Sequence, residues 1–312
     1  MHRLKRKLED FLMITLSNGH KFEWMVASGA LGFDGKGWFW EKPLVWLGLV
    51  KPELFTIVLK TLTRHPRRGN LSWWRLWTWL PFSPWSCVRF LPGGAVNKVG
   101  LTNPGIEYWC KHIGPRLNFE KYALVASIFG DEKELVLMAG ALNNFKFKAL
   151  EVNVSCPNAD HDSQTETVIQ CLKAVKRASR YPVIAKLSVD QDYIKIAERL
   201  TWYADAISLN SVPWNVVFTH GEKTPLSKLE KKVGGGGGGV SGKPAQDPNW
   251  HAVKYLSISR PGYIPVIAPS VMSIEDVQHV KSLGANAVSF GTIHLRTPWK
   301  PTQIVEDLQC RK

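Results

Sequence analysis

The chain has 312 residues, 45% of them hydrophobic and 21% charged, with a formal net charge of +14 at pH 7. That balance supports a large buried core and argues against a disordered chain. No uninterrupted apolar run reaches the ~18 residues needed to span a bilayer, and five cysteines without a CxxC pair argue against a zinc site or an iron–sulfur cluster.

Residues 1–12 (MHRLKRKLEDFL) form a basic, amphipathic start, and 1–20 are read as an N-terminal extension. Residues 21–312 are read as one domain. Apolar, β-branched runs recur at 23–27, 55–60, 122–129, 150–154, 182–187, 206–209, 264–268 and 287–290. From the third onward most alternate with helical periods at 132–142, 166–178, 193–202, 250–257 and 274–283. Continuous apolar strands separated by amphipathic helices predict a parallel sheet buried on both faces. Eight such strands predict closure into a (β/α)8 TIM barrel. An open doubly wound sheet would want GxGxxG after the first strand, and that motif is missing.

A barrel collects its chemistry where strands end. Here Ala27-Ser28-Gly29 follows the first run, Lys60-Thr61 closes the second, and Asn153 to Asn158 follows the fourth. Lys186 lies near the end of the fifth, Asn210-Ser211 ends the sixth and Gly291-Thr292 the eighth. Solvated loops explain one or two of these positions. They do not explain lysines embedded in apolar strands, where an unpaired ammonium is costly.

Three segments break the alternation. Residues 71–94 are an insertion with Trp73, Trp74, Trp77, Trp79 and Trp85, read as a cap over the barrel mouth or as a docking surface. Residues 234–242 are a glycine-rich loop, expected to be mobile and to bring the amides around Gly239, Ser241 and Gly242 to an anion. Residues 157–165 are polar and short enough for an active-site flap.

In Glu151-Val152-Asn153-Val154-Ser155-Cys156-Pro157-Asn158 the period of two puts Glu151, Asn153 and Ser155 on one face and the valines on the other. The polar face should point into the barrel, with Cys156 just past the strand end. The segment NVSCPN resembles the active-site signature of dihydroorotate dehydrogenases, in which cysteine marks the soluble class 1 enzymes. The resemblance runs from about Ala27 to Thr292. It includes Lys60 with Arg68-Gly69-Asn70, the loop Asn97-Lys98-Val99-Gly100-Leu101-Thr102-Asn103, and the turns Gly239 to Pro244 and Phe290-Gly291-Thr292.

The resemblance implies FMN as cofactor and dihydroorotate, oxidised to orotate for pyrimidine biosynthesis, as substrate. It implies Cys156 as the base at ring carbon 5, aided by Ser155 and Lys60, and hydride transfer from carbon 6 to the flavin. Lys60, Asn97, Val99, Gly100, Leu101, Asn153, Asn158, Asn210 and Ser211 would hold the substrate. Ala27, Ser28, Gly29, Lys60, Thr61, Asn153, Lys186 and Asn210 would hold the flavin, and Gly239, Ser241, Gly242, Ser270, Gly291 and Thr292 its phosphate end. One departure stands out: where the family has a glycine-rich turn, this chain reads Ala268-Pro269-Ser270-Val271-Met272. Val271 resists positive φ and Pro269 lacks a donor. Ser273 and Asp276 resemble a capping box at the next helix.

Related flavoproteins of dihydropyrimidine oxidation and of RNA dihydrouridine synthesis remain alternatives, as does a non-catalytic flavin-binding barrel. The electron acceptor is left open between fumarate, NAD through a partner subunit, and quinone. The resemblance implies a homodimer, and no nucleic-acid partner is expected. The odd cysteine count suggests reduced thiols and a cytoplasmic location, with peripheral membrane contact through the basic start or the tryptophan-rich insertion as the alternative.

Overall fold

The computed structural model describes residues 13–71, 87–155, 165–229, 237–258 and 264–311. Fourteen short strands are present among them. A hairpin of β1 (Ile14–Thr15) and β2 (Lys21–Phe22) comes first, followed by β3 (Trp24–Val26) and β4 (Thr56–Val58). A second hairpin, β5 (Val88–Leu91) and β6 (Gly94–Asn97), precedes β7 (Ala123–Ile128), β8 (Ala149–Asn153), β9 (Val183–Leu187) and β10 (Ala206–Leu209). The remainder are β11 (Val212–Pro213), β12 (Gly239–Gly242), β13 (Val266–Ala268) and β14 (Ala287–Phe290).

Eight of these strands close a barrel in the order β3-β4-β7-β8-β9-β10-β13-β14 and back to β3. Every pairing around it is parallel. These are the eight runs expected from sequence. Alternation decides which way each side chain points. Val152, Val154, Ala185, Leu187 and Ile207 face outward into the main core, against helices such as Glu132–Leu142 and Thr165–Ala178. Ile184, Ala206, Ile267 and Ala287 face inward.

The stretch read as a terminal extension has a packing role. Ile14 and Leu16 are buried with Phe22 against Met25, Val58 and Val125, so the first hairpin closes the floor of the barrel. Short inward residues at the strand starts (Ala149, Ala206, Ala287) leave the room that these three side chains fill.

Four strands outside the barrel form an antiparallel sheet in the order β11-β12-β6-β5. Its residues fall in segments read as irregular: β5 and the start of β6 in the insertion at 71–94, and β12 in the glycine-rich loop. Val96, Val212 and Val240 bury themselves with Trp214 and Leu226 in a small core of their own. Glycine is needed where these strands touch. Gly242 has φ +81°, and a Cβ there would lie 2.7 Å from the carbonyl oxygen of Gly93. The five tryptophans of the insertion fall outside the described residues, as does most of the expected flap. Among the described residues no helix is long and apolar enough to cross a membrane.

Candidate active site

The strand ends open into one cavity of ≈ 280 Å³ at the C-terminal mouth of the barrel, close to the lower end of the roughly 300–1,000 Å³ range of small-molecule sites. Ala27, Ser28 and Gly29 form its wall after β3, and Lys60 and Thr61 after β4. Gly29 has φ +82°, and a Cβ there would touch Cγ of Lys60 at 3.5 Å. Nζ of Lys60 lies 6.0 Å from the centre of the Phe33 ring. Across the mouth, Asn153, Lys186, Asn210 and Ser211 supply the wall from β8, β9 and the end of β10.

The two loop motifs singled out in sequence pack on each other. Oγ1 of Thr102 donates to the carbonyl of Arg68 at 2.9 Å, and the amide of Asn70 donates to the carbonyl of Val99 at 2.9 Å. This pairing presents Asn97, Val99, Gly100 and Leu101 to the cavity. Leu101 takes φ 55°, an uncommon conformation for a branched side chain.

The inner face of β8 is polar, as its period of two requires. Glu151 is buried beneath the mouth and accepts from Oγ of Ser127 at 2.9 Å and Oγ of Ser208 at 3.3 Å. Nζ of Lys186 lies 3.5 Å from Oε1 of Glu151. The chain of hydroxyls continues from Ser127 to Thr61 (2.9 Å) and on to Ser28 (2.9 Å). Sequence reasoning had placed Glu151 on this face but gave it no part in the site. Its signal was a carboxylate between apolar neighbours on a buried strand. Trp38 and Trp40, stacked at 5.5 Å, also line the cavity. They carried no spacing signal.

Two expected contacts lie off the cavity wall. Ser155 is buried and its hydroxyl donates to Oδ1 of Asn153 at 3.1 Å. Gly239 is paired inside β12, and its carbonyl accepts from Nδ2 of Asn97 at 3.2 Å. Cys156 and Asn158 fall outside the described residues. Two other cysteines, Cys110 and Cys171, are away from the cavity, and burial pushes both thiols up to about 11.

The turn after β13 agrees with its sequence reading at Val271 and differs from it at the capping box. Positive φ falls on Ser270 (66°), not on Val271. Ser270 is pinned there: Nδ2 of Asn249 donates to its Oγ at 3.2 Å and Nε2 of Gln246 to its carbonyl at 3.1 Å. Asp276 does not complete a capping box. Its backbone amide donates to Oγ of Ser273, while its carboxylate accepts the amide of Met272 at 2.8 Å. That amide is therefore not available to an anion. Ser241, Gly242, Ser270, Gly291 and Thr292 all line this end of the cavity.

Behind Trp38 lies a buried acid–base pair. The amide of Trp38 donates to Oε2 of Glu41 at 2.8 Å, and Nδ1 of His294 lies 3.8 Å from Oε1 of the same carboxyl. Burial raises Glu41 to about 7 and lowers His294 to about 3.

The donor set fits a flavin. Lys186, Ser28, Thr61, Asn153 and Asn210 converge from five strands, and Gly29 and Gly291 line the same mouth without a side chain. A family model described as dihydroorotate dehydrogenase matches residues 25–311. The chain belongs to the dihydroorotate dehydrogenase family of oxidoreductases. Relatives within it include a protein of Listeria monocytogenes named dihydroorotate dehydrogenase B (NAD(+)), catalytic subunit, 30% identical over 83% of this chain and 82% of its own length. A protein of the same name from Desulforudis audaxviator is 30% identical over 91% of this chain and 87% of its own length. The crystal structure of the dihydroorotate dehydrogenase of Eimeria tenella in complex with ferulenol shares the fold, with a TM-score of 0.67 at 16% identity over 96% of this chain and 83% of that one.

Proposed function

We propose that this member of the dihydroorotate dehydrogenase family binds FMN and oxidises dihydroorotate to orotate. The observation that carries the reading is the convergence of Lys60, Asn97, Asn153, Lys186 and Asn210 on one cavity. Dihydroorotate is a cyclic imide bearing a carboxylate. Asn97, Asn153, Asn158 and Asn210 offer carbonyl and amide groups that match the ring, and Lys60 offers a cation for the carboxylate. Val99, Gly100, Leu101 and Ser211 shape the wall on which the ring lies.

Cys156, three residues beyond Asn153, takes the proton from ring carbon 5. FMN, when bound, supplies at N5 the acceptor for the hydride from carbon 6. Lys186 opposes the negative charge that reduction brings to the flavin edge. Ser28, Gly29 and Thr61 hold the ring system, and Ser241, Gly242, Ser270, Gly291 and Thr292 its phosphate end. Two relatives are named as catalytic subunits of an NAD(+) enzyme. That naming supports electron delivery to NAD through a partner subunit.

The test is anaerobic mixing of the purified protein with dihydroorotate while the flavin's visible absorbance is followed, beside Cys156→Ala. Bleaching by the wild type and almost none by the variant is the expected result. A yellow protein that dihydroorotate leaves unbleached sinks the substrate; a colourless protein that takes up no added FMN sinks the cofactor.

A further inference from the structure

We infer that Glu151 is a positioning residue that anchors the ammonium of Lys186 and thereby sets the reduction potential of the bound flavin; this rests on the flavin reading above. Glu151 is 1% exposed, and both of its oxygens are engaged. Oε1 takes Oγ of Ser127 and faces Nζ of Lys186, and Oε2 takes Oγ of Ser208. An ionised carboxylate only accepts, so two hydroxyl donors and one ammonium fix its orientation.

The geometry points to control of Lys186 in particular. Lys186 of β9 is paired in register with Asn153 of β8, the strand that carries Glu151, and with Ser208 of β10, whose hydroxyl donates to Glu151. Only 10% of that side chain is exposed, and the exposed part faces the cavity. Burying this ammonium calls for a counter-charge, which Glu151 supplies and which a flavin that has gained negative charge can share. With Glu151 beneath it, the ammonium is held at the cavity floor. Its charge is also partly offset, which limits how strongly it favours a flavin that has gained negative charge. Among the described residues Lys60 also brings a cation to this mouth, with its Nζ 6.0 Å from the centre of the Phe33 ring.

Removing the carboxylate should therefore make flavin reduction easier, and removing the ammonium should make it harder. In FMN-loaded Glu151→Gln, the oxidised/reduced equilibrium should move at least tenfold toward reduced flavin, about 30 mV for a two-electron couple. In Lys186→Gln it should move the opposite way. Adding Glu151→Gln to Lys186→Gln should then change the potential little. The double variant also guards against misfolding, because neutral side chains of similar shape replace both partners of the buried pair.

A second arm needs no flavin. In apo-protein treated with limiting acetic anhydride, Lys186 should be acetylated at least fivefold more in Glu151→Gln than in the wild type, relative to surface lysines. Equal labelling overturns the anchor. An unchanged potential in Glu151→Gln, or the same shift with and without Lys186, overturns the control through Lys186. Wild-type protein that takes up no FMN overturns the flavin reading, and the inferred control of potential with it, whatever the labelling shows.

Discussion

Nδ2 of Asn210 donates to the backbone carbonyl of Ser155 at 3.2 Å. The bond ties the end of β10 to the end of β8, at the residue that precedes Cys156. Asn210 is itself held by its amide, which donates to the carbonyl of Leu187 at 2.9 Å. Asn210→Asp keeps the size of the side chain but sets a carboxylate against a carbonyl. The rate of flavin reduction by dihydroorotate should fall by on the order of 10²-fold, since displacement of a reacting group by an ångström has that effect. Stopped-flow absorbance checks this. Urea denaturation should register a loss of only about 1 kcal/mol.

Ser270 tests the altered turn. Ser270→Ala loses the bond from Asn249 and should cost about 1 kcal/mol. Ser270→Val adds a β-branched side chain at φ 66° and should cost about 1–3 kcal/mol beyond that. Denaturation midpoints of the two variants separate the effects. Equal midpoints would mean that the turn relaxes to negative φ.

The pair Glu41–His294 makes a pH prediction. Burial is the cause of both shifts, raising the carboxyl from 4.5 to about 7 and lowering the imidazole from 6.5 to about 3. Between pH 4.5 and 6.5 the folded chain keeps a proton on Glu41 that the unfolded chain has lost. Over the same range the unfolded chain carries one on His294 that the folded chain lacks. The two slopes oppose and nearly cancel. Glu41→Gln removes the carboxyl's share, which is stability present at low pH and lost as pH rises through about 7. Relative to wild type, the variant should lose stability as pH falls from 7 to 4.5, by up to about 1.4 kcal/mol per pH unit. Thermal melts across that range measure it, and parallel curves would refute the neutral buried pair.

The barrel floor should respond as a core. Leu16 is 2% exposed among Met25, Val58 and Val125. Leu16→Ala should cost about 2–5 kcal/mol in denaturant unfolding. A loss of a few tenths would mean that the hairpin only rests on the barrel.

The sequence by itself determined the eight barrel strands and the end of the barrel that carries the chemistry. Both follow from local pattern: buried parallel strands are continuously apolar, and a period of two assigned Glu151 and Asn153 to the inner face before any contact was known. The motifs around Lys60, Lys186 and Asn210 were legible because each sits at or near a barrel strand end, and Asn97 was legible through the resemblance of its loop. What only the tertiary structure decided depends on partners distant in sequence. β5, β6, β11 and β12 are two to four residues each, and their two hairpins join into one sheet only where β6 meets β12 across more than a hundred residues, as Asn97 does with Gly239. Ile14 and Leu16 read as part of a polar terminus because their burial depends on alanines near the starts of other strands. Strain fell on Ser270 because Asn249 and Gln246 reach it from another helix. Glu151 became more than a buried acid only when folding set Lys186 3.5 Å from it. Periodicity fixes which way a side chain faces; which partner it meets is set by chain closure.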